Sequence, residues 1–168
     1  MIETFKSALP DDIHHLAERL MFEISGRRMM VSLAESCTGG LLAAVLTDVE
    51  GSSHSFDRGY VAYTDTAKHR LLGVSEHILD VHGAVSAQAA KAMVEGVLAA
   101  SDADLALSVT GFAGPGGPGE EPGLVYFGLQ RRGRPARVER RRFGDVSRSC
   151  VRLACLRTGL SLLGEEVK

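Results

Sequence analysis

The sequence lacks a substantial net charge, because its 19 lysines and arginines nearly balance its 21 aspartates and glutamates and leave a formal charge of −2. A charge this small produces no long-range field that would recruit nucleic acid or anionic lipid. The local exception is the stretch 131–142, where seven arginines face only Glu139, but no aromatic side chain lies between them to stack on bases. We interpret this stretch as a solvated hairpin or a subunit contact, and nucleic acid is not an expected partner.

Cysteine is scarce as well, and the three copies, Cys37, Cys150 and Cys155, show neither the spacing of a zinc knuckle nor that of a redox pair. Such usage is typical of a reducing compartment. The chain also lacks the ~18 consecutive apolar residues that a membrane span needs. Its first residues have neither the basic start nor the apolar segment of a signal peptide. We therefore predict a cytoplasmic protein with no membrane partner.

Metal-binding patterns are missing too, since the six histidines form neither a His-x-x-x-His nor a His-Glu-x-x-His arrangement. We predict no metal and no other cofactor. The composition, 45% hydrophobic and 24% charged, is that of a globular protein. A chain of 168 residues is long enough to bury a core without disulfides or metals, so we expect a single domain over residues 1–168.

Helical and strand patterns alternate along most of the chain. Helices are predicted at 10–28, 41–46, 64–72, after Ser75, at 86–98 and at 148–163, and strands are predicted at 29–34, 56–63, 105–110, 124–130 and 137–143. The last two strands follow each other around a short turn and are predicted to pair as a hairpin. The pattern predicts an α/β fold, a single-domain mixed β-sheet covered by helices on both faces.

Two strands end in unusual loops, and ligands of open α/β sheets collect beyond the carboxyl ends of strands. The loop 35–40 places Ser36, Cys37 and Thr38 before a helix, whose free N–H groups favour an anion or a developing oxyanion. The alternative is that Ser36 or Thr38 only caps the helix. The loop 111–119 is rich in glycine and either wraps a phosphate or merely connects two strands, since it matches no established phosphate-binding motif.

A nucleophilic Ser36 would need a base, and no histidine stands in a recognisable triad context. Lys68 is the candidate, because it lies just past a strand, where a desolvated amine has a lowered pKa. Against this, a lone lysine on a short helix is usually a solvated surface charge. Cys37 is a second candidate nucleophile, since a helix N-terminus lowers a thiol pKa, although small buried cysteines are more common.

Several motifs in one order resemble the C-terminal domain of the competence-damage-inducible protein CinA, a family that also occurs as a stand-alone nicotinamide-nucleotide amidohydrolase. The matching segments are AESCTGG at 34–40, GSS at 51–53 with FDRG at 56–59, Tyr63 with AK at 67–68, LGV at 72–74, HGAVS at 82–86, TGFAGPGG at 110–117 and GLV at 123–125. The resemblance covers roughly residues 12–163, which we take as the core of the domain. It also implies a homo-oligomer.

The resemblance implies deamidation of nicotinamide mononucleotide to nicotinate mononucleotide and ammonia by a serine–lysine pair without metal. Ser36 would be the nucleophile, Lys68 the general base and Tyr63 an auxiliary hydroxyl. The residues expected to bind the substrate are Cys37, Thr38, Gly39, Gly40, Thr110, Gly111, Gly114 and Arg148. The rival hypothesis is a catalytically weak nucleotide-binding or partner-assembly protein of the same fold.

This chain departs from the family pattern at two places. Asp65 follows Tyr63 and Thr64 where the family usually has asparagine, and its carboxylate either holds Lys68 or raises the pKa of that amine. The family's Gly-Asp-Arg segment corresponds to 144–148 with two additional residues, so either Arg148 or Arg152 is expected to contact the phosphate. The N-terminal domain of the larger CinA proteins is absent, and the chain is expected to be complete as the stand-alone enzyme.

Overall fold

Five strands form one mixed sheet in the computed structural model, which describes residues 9–114, 117 and 119–168. The strands are β1 (Val31–Glu35), β2 (Phe56–Val61), β3 (Leu105–Gly111), β4 (Leu124–Arg131) and β5 (Arg137–Arg142). Their order across the sheet is β2-β1-β3-β4-β5. β1 is parallel to β2 and β3, whereas β4 is antiparallel to β3 and β5. The predicted hairpin is therefore the pair β4–β5.

Helices cover both faces of this sheet, as the sequence predicts. They are α1 (Asp11–Gly26), α2 (Leu41–Thr47), α3 (Asp65–Leu72), α4 (Glu76–His82), α5 (Ala87–Ala99) and α6 (Arg148–Val167). Leu33 and Leu107 point toward α1, α2 and α6, and their neighbours Ala34 and Ala106 point toward α3, α4 and α5, in the alternation expected of strands. Among the described residues, no helix is long and apolar enough to cross a membrane.

Several element ends differ from the sequence-based prediction, among them the start of β1 at Val31 and the end of α1 at Gly26. Two further differences have a clear physical reason. The strand predicted at 56–63 stops at Val61, because Thr64 is already the N-cap of α3 and its hydroxyl accepts the N–H of Ala67. The last helix continues past 163 to Val167, whose side chain is buried in the same core as α1. Burial against another helix extends α6 beyond the end that the local sequence pattern suggests.

The second half of the arginine-rich stretch forms β5 at the edge of the sheet, and the arginines of this strand pair with nearby glutamates. Arg137 contacts Glu139, Glu165 and Glu166 at 2.9–3.5 Å, and Arg142 contacts Glu121. These pairs neutralise much of the positive charge that the sequence concentrates there. The arrangement agrees with the expected solvated hairpin.

The parallel half of the sheet brings three strand ends together. Glu35 at the end of β1 is in register with Val61 of β2 and Val109 of β3. Hydrogen bonds continue this alignment beyond β1, from Ser36 N–H to the Val109 carbonyl (2.9 Å) and from Ala62 N–H to the Glu35 carbonyl (2.8 Å). The segments that follow β1, β2 and β3 therefore meet at one edge of the sheet, where open α/β folds bind ligands.

Candidate active site

A cavity of about 230 Å³ opens at this edge of the sheet. Eight residues named as candidates from the sequence line it, namely Ser36, Cys37, Tyr63, Lys68, Thr110, Gly111, Gly114 and Arg148. Asp65, Phe112 and Glu120 complete part of the same wall. The fold thus gathers into one place residues that lie more than a hundred positions apart in the chain. Thr38, Gly39 and Gly40 do not line the cavity.

Ser36 is the residue directly after β1, and only 8% of its surface is exposed. Its N–H group is fixed to the Val109 carbonyl at 2.9 Å, and its carbonyl accepts the N–H of Gly39 at 3.0 Å. A strand, a tight turn and then a helix therefore hold this serine at the cavity wall. This is a rigid placement suited to a nucleophile.

Glu35 is a site residue to which the sequence reasoning assigned no role. Its carboxylate is 1% exposed and accepts the backbone N–H groups of Gly40 (3.1 Å), Leu42 (3.1 Å) and Ala43 (2.8 Å). These N–H groups belong to the start of α2, so the helix N-terminus that the sequence suggested for an anion already holds an internal one. The signal was an acidic side chain at the end of a buried strand, which must find donors nearby.

Thr38, Gly39 and Gly40 shape the turn between β1 and α2. The Thr38 carbonyl accepts a hydrogen bond from Arg152 at 2.7 Å, and a Cβ atom at Gly39 would lie 3.1 Å from that guanidinium. Gly39 and Gly40 have φ values of +63° and +91°, which glycine adopts without strain. Arg152 therefore binds the turn itself, and Arg148 is the better candidate for binding a phosphate.

Lys68 is buried, contrary to the expectation for a lone lysine on a short helix. It lies on the face of α3 that packs against the rest of the fold, and only 1% of its surface is exposed. Its Nζ donates to the Tyr63 carbonyl at 3.3 Å and lies 3.8 Å from Asp65 Oδ1. Burial lowers the pKa of Lys68 below its usual 10.5, and the charges of Asp65 and Cys37 oppose this shift.

Tyr63 and Thr110 use their polar atoms differently. Tyr63 holds Lys68 through its main-chain carbonyl, whereas its side chain is largely exposed beside the cavity. The buried Thr110 hydroxyl donates to the Ala84 carbonyl at 2.7 Å and ties β3 to the segment before α5. Thr110 therefore presents a hydroxyl oxygen whose proton is already committed, so this oxygen can act toward a ligand only as an acceptor.

Arg148 is the first residue of α6 and reaches the cavity beside the glycine loop. A Cβ atom at Gly114 would lie 3.3 Å from its Nη2 atom. Within the part of the chain that the structure describes, no carboxylate is within ion-pair distance of this guanidinium. At Gly111, a Cβ atom would lie 2.7 Å from the Leu124 carbonyl, so β4 excludes any side chain there. Residues 115, 116 and 118 of the glycine-rich loop lie outside the described residues.

Cys37 forms a buried thiol pair with Cys155. Both residues lie in the same hydrophobic core, and the interaction between their thiols lowers the pKa of Cys37 and raises the pKa of Cys155. Burial raises the pKa of both thiols, and the Arg152 guanidinium lowers it. Cys37 therefore lines the cavity and also contacts Cys155 in the core.

Among residues 9–114, 117 and 119–168, no group of three or more His, Cys, Asp or Glu side chains is arranged to hold a metal.

The contacts of Glu35 predict a large loss of stability when its carboxylate is removed. Glu35→Ala leaves three backbone N–H groups without their acceptor in a buried place, and we expect a cost of about 3 kcal/mol or more in the free energy of unfolding. Equilibrium urea unfolding measures this cost. The exposed Glu50→Ala, in the loop after α2, is the control and should change stability by less than about 0.5 kcal/mol. Equal losses in the two variants would contradict the capping role.

Comparison with known proteins places this arrangement in a family. The chain matches the model of the CinA C-terminal domain over residues 13–167. It is 47% identical over 144 residues to the nicotinamide-nucleotide amidohydrolase PncC of Enterobacter agglomerans, covering 84% of this chain and 87% of that protein. A putative competence-damage inducible protein of Caldicellulosiruptor bescii is 48% identical over 132 residues, 77% of this chain, but the chain spans only 32% of its length.

Solved structures share the same architecture. The crystal structure of the competence/damage inducible protein CihA from Agrobacterium tumefaciens aligns with a TM-score of 0.90 at 44% identity, covering 94% of this chain and 96% of that one. A CinA superfamily protein from Escherichia coli aligns with a TM-score of 0.87 at 31% identity, covering 94% and 92%. The family match covers residues 13–167, and the mixed sheet with helices on both faces agrees with it. The chain belongs to the CinA C-terminal domain family.

Proposed function

We propose that this protein hydrolyses the carboxamide of nicotinamide mononucleotide, with Ser36 as the nucleophile and Lys68 as the general base. The observation that carries the proposal is a buried lysine amine in the same cavity as a serine fixed at a strand end. The name of the Enterobacter agglomerans relative supports a nicotinamide nucleotide as the substrate. The products are nicotinate mononucleotide and ammonia.

The first half of the reaction forms an ester on Ser36. Neutral Lys68 takes the Ser36 hydroxyl proton as the oxygen attacks the carboxamide carbon, and the carbonyl oxygen becomes an oxyanion. When the tetrahedral intermediate collapses, the carbon–nitrogen bond breaks and Lys68 gives its proton to the departing nitrogen, which leaves as ammonia. Glu35 already occupies the N–H groups of residues 40, 42 and 43, so other donors of the cavity wall must stabilise the oxyanion.

The second half returns the enzyme to its starting state. A water molecule attacks the ester carbon, and Lys68 takes one of its protons. The bond to the Ser36 oxygen breaks, and Lys68 returns the proton to that oxygen. The acid product loses its own proton to solvent at neutral pH. Both halves need Lys68 to be neutral before attack, and the burial that lowers its pKa favours this form.

The remaining candidate residues would place the substrate. Arg148 would bind the phosphate, because it reaches the cavity and has no carboxylate partner among the described residues. Cys37, Thr110, Gly111 and Gly114 would form the walls. Thr38, Gly39 and Gly40 would act on the substrate only through the turn that they form.

The two arginines make this placement testable. Arg148→Ala should raise KM for nicotinamide mononucleotide by about tenfold to a hundredfold and leave kcat within about fivefold, as expected for a charged hydrogen bond to a remote phosphate. Arg152→Ala should instead lower the melting temperature, because Arg152 supports the Thr38 carbonyl. Steady-state kinetics and thermal unfolding of both variants measure this difference. A large rise in KM for Arg152→Ala alone, with the fold intact, would show that Arg152 and not Arg148 binds the phosphate.

The proposed reaction is tested by measuring the substrate and both products over time in the presence of a chelator. We expect equimolar loss of nicotinamide mononucleotide and gain of nicotinate mononucleotide and ammonia. Folded protein that releases no ammonia would refute the proposal. The nearby Asp65 carboxylate, 3.8 Å from Lys68, then favours the rival hypothesis of a weakly active nucleotide-binding protein. Thermal stabilisation by the nucleotide without product would support that hypothesis.

The resemblance also implies a homo-oligomer, and we propose that the protein forms one. The edge strand β5 and the exposed Phe22 of α1 are surfaces that a second copy would cover. Light scattering coupled to gel filtration measures the mass in solution. A monomer mass at micromolar concentration would refute this part of the proposal.

A further inference from the structure

The wall of the cavity carries charges of both signs. Arg148 contributes a positive charge, and Asp65 and Glu120 contribute two carboxylates. The Glu120 carboxylate accepts the N–H of Gly117 at 2.6 Å, which holds it within its own loop. Asp65 has no such restraint: its side chain is 61% exposed, and the charge nearest to it is the Lys68 amine at 3.8 Å. Asp65 is therefore the cavity carboxylate that lies beside Lys68, the proposed general base.

Asp65 is poorly placed to be a simple ion-pair partner. Its nearest oxygen is at the outer limit of ion-pair distance from Lys68 Nζ, and the amine donates its hydrogen bond to the Tyr63 carbonyl. The hydroxyl of Thr64, not the carboxylate of Asp65, caps α3. When Lys68 is neutral, as general base catalysis requires, it no longer compensates the charge of Asp65, and among the described residues no other cation lies within ion-pair distance of that carboxylate. A cationic ligand would supply one.

The proposed substrate carries such a cation. The pyridine ring of nicotinamide mononucleotide is quaternised by the ribose and positively charged, and it is bonded directly to the carboxamide that reacts. With the carboxamide bound between Ser36 and Lys68, a carboxylate beside the base would also lie close to the ring. Hydrolysis converts the neutral amide into a carboxylate at that position, and two carboxylates at close range repel each other.

Resting on the proposed function, we infer that Asp65 determines specificity: its carboxylate attracts the pyridinium ring of the amide substrate and repels the carboxylate of the acid product. The same charge thus favours binding of the substrate over binding of the product. Arg148 lines the same cavity and would bind the phosphate of either nucleotide. The family's usual asparagine would lack this charge. Asp65 touches neither the attacking atom nor the leaving nitrogen in this scheme, so it is a specificity residue and not a catalytic one.

Binding measurements test this inference without relying on turnover. Calorimetry is done in a Lys68→Met background, which removes the amine and its variable charge. The probes are nicotinamide mononucleotide, its reduced form with an uncharged dihydropyridine ring, and nicotinate mononucleotide. Adding Asp65→Asn should weaken binding of the oxidised amide by about fivefold and leave the reduced amide within about twofold. The preference for amide over acid should fall by a similar factor.

Two further variants separate charge from shape. Asp65→Glu keeps the carboxylate and should retain most of the preference. Asp80→Asn is the matched control, since Asp80 is exposed on α4 and lines a neighbouring groove together with Asp65, but it does not line the cavity that contains Ser36 and Lys68. It should leave all three affinities unchanged.

The outcomes distinguish this inference from the proposed function. Equal changes for the oxidised and reduced amides, or no change at all, would overturn the role of Asp65 even if the wild-type protein releases ammonia. A wild-type protein that releases no ammonia would overturn the proposed function, while a selective loss for the oxidised amide would still support the charge recognition by Asp65. Loss of selectivity in Asp80→Asn as well would also overturn the inference.

Discussion

Lys68→Met is expected to lower kcat by about a thousandfold or more, because it removes the base that both halves of the reaction use. Methionine has nearly the length of lysine and fills the same buried space without an amine. We therefore expect the variant to fold and to bind nicotinamide mononucleotide. Ammonia release at saturating substrate measures the loss. Activity within about tenfold of wild type would remove Lys68 from the mechanism.

The same substitution should stabilise the fold, and the pH dependence has a definite sign. The pKa of Lys68 is lowered in the folded protein, so folding favours the neutral amine and the charged form costs stability. This cost is present in full below the folded pKa and disappears as the pH rises toward the unfolded value of 10.5. Lys68→Met should therefore raise the melting temperature at neutral pH, with a smaller gain at pH values approaching 10.5.

Lys91→Met is the matched control for Lys68→Met. Lys91 lies on α5, its side chain is 52% exposed, and it pairs with Glu95 on the surface. We expect this variant to keep its kcat and to change the free energy of unfolding by less than about 1 kcal/mol, because surface ion pairs contribute little. A similar loss of kcat in both variants would mean that the effect of Lys68 is not specific to its place in the cavity.

Ser36→Ala is expected to remove turnover by about four orders of magnitude or more, since no ester can form without the hydroxyl. The exchange removes one oxygen from a residue that is 8% exposed, so the fold and nucleotide binding should persist. Cys37→Ser should keep activity within about tenfold, because its thiol serves the packing against Cys155. The rates of ammonia release of the two variants are compared directly.

The reverse pattern would identify the neighbouring thiol as the nucleophile. In that case Cys37→Ser would lose turnover and Ser36→Ala would retain it. The lowered pKa of Cys37 makes this comparison necessary, because a thiolate attacks more readily than a thiol. Loss of turnover in both variants, with the fold intact in each, would show that the thiol also serves catalysis.

Local sequence patterns predicted much of the fold. The alternation of strand and helix signals gave the mixed sheet, and the caps at Thr64, Ser75 and Ser86 are formed by their own side chains, as their positions suggested for the last two. The ends of β2 and α6 were predicted less well. The end of α6 depends on contacts with residues far away in the chain, which a local window does not contain, whereas β2 ends early because of the local cap at Thr64.

The candidate site shows the same division. The motif at 34–40 pointed to Ser36. Periodicity could not reveal that the Glu35 carboxylate accepts the free N–H groups at the start of α2. The burial of Lys68 results from the packing of α3 against α5 and α4, so a solvated lysine was the better expectation from composition alone. Arg148 and Arg152 are one helical turn apart in α6, and only the geometry separates their contacts.

The measurement that tests the central claim most directly is the mass of the protein during turnover. Protein mixed with excess nicotinamide mononucleotide is quenched in acid at short times, digested and mapped, with Ser36→Ala and Cys37→Ala treated in parallel. We predict a nicotinate mononucleotide ester on Ser36 in the wild type and in Cys37→Ala, and none in Ser36→Ala. A thioester on Cys37, or ammonia release by Ser36→Ala at the wild-type rate, would contradict the serine mechanism.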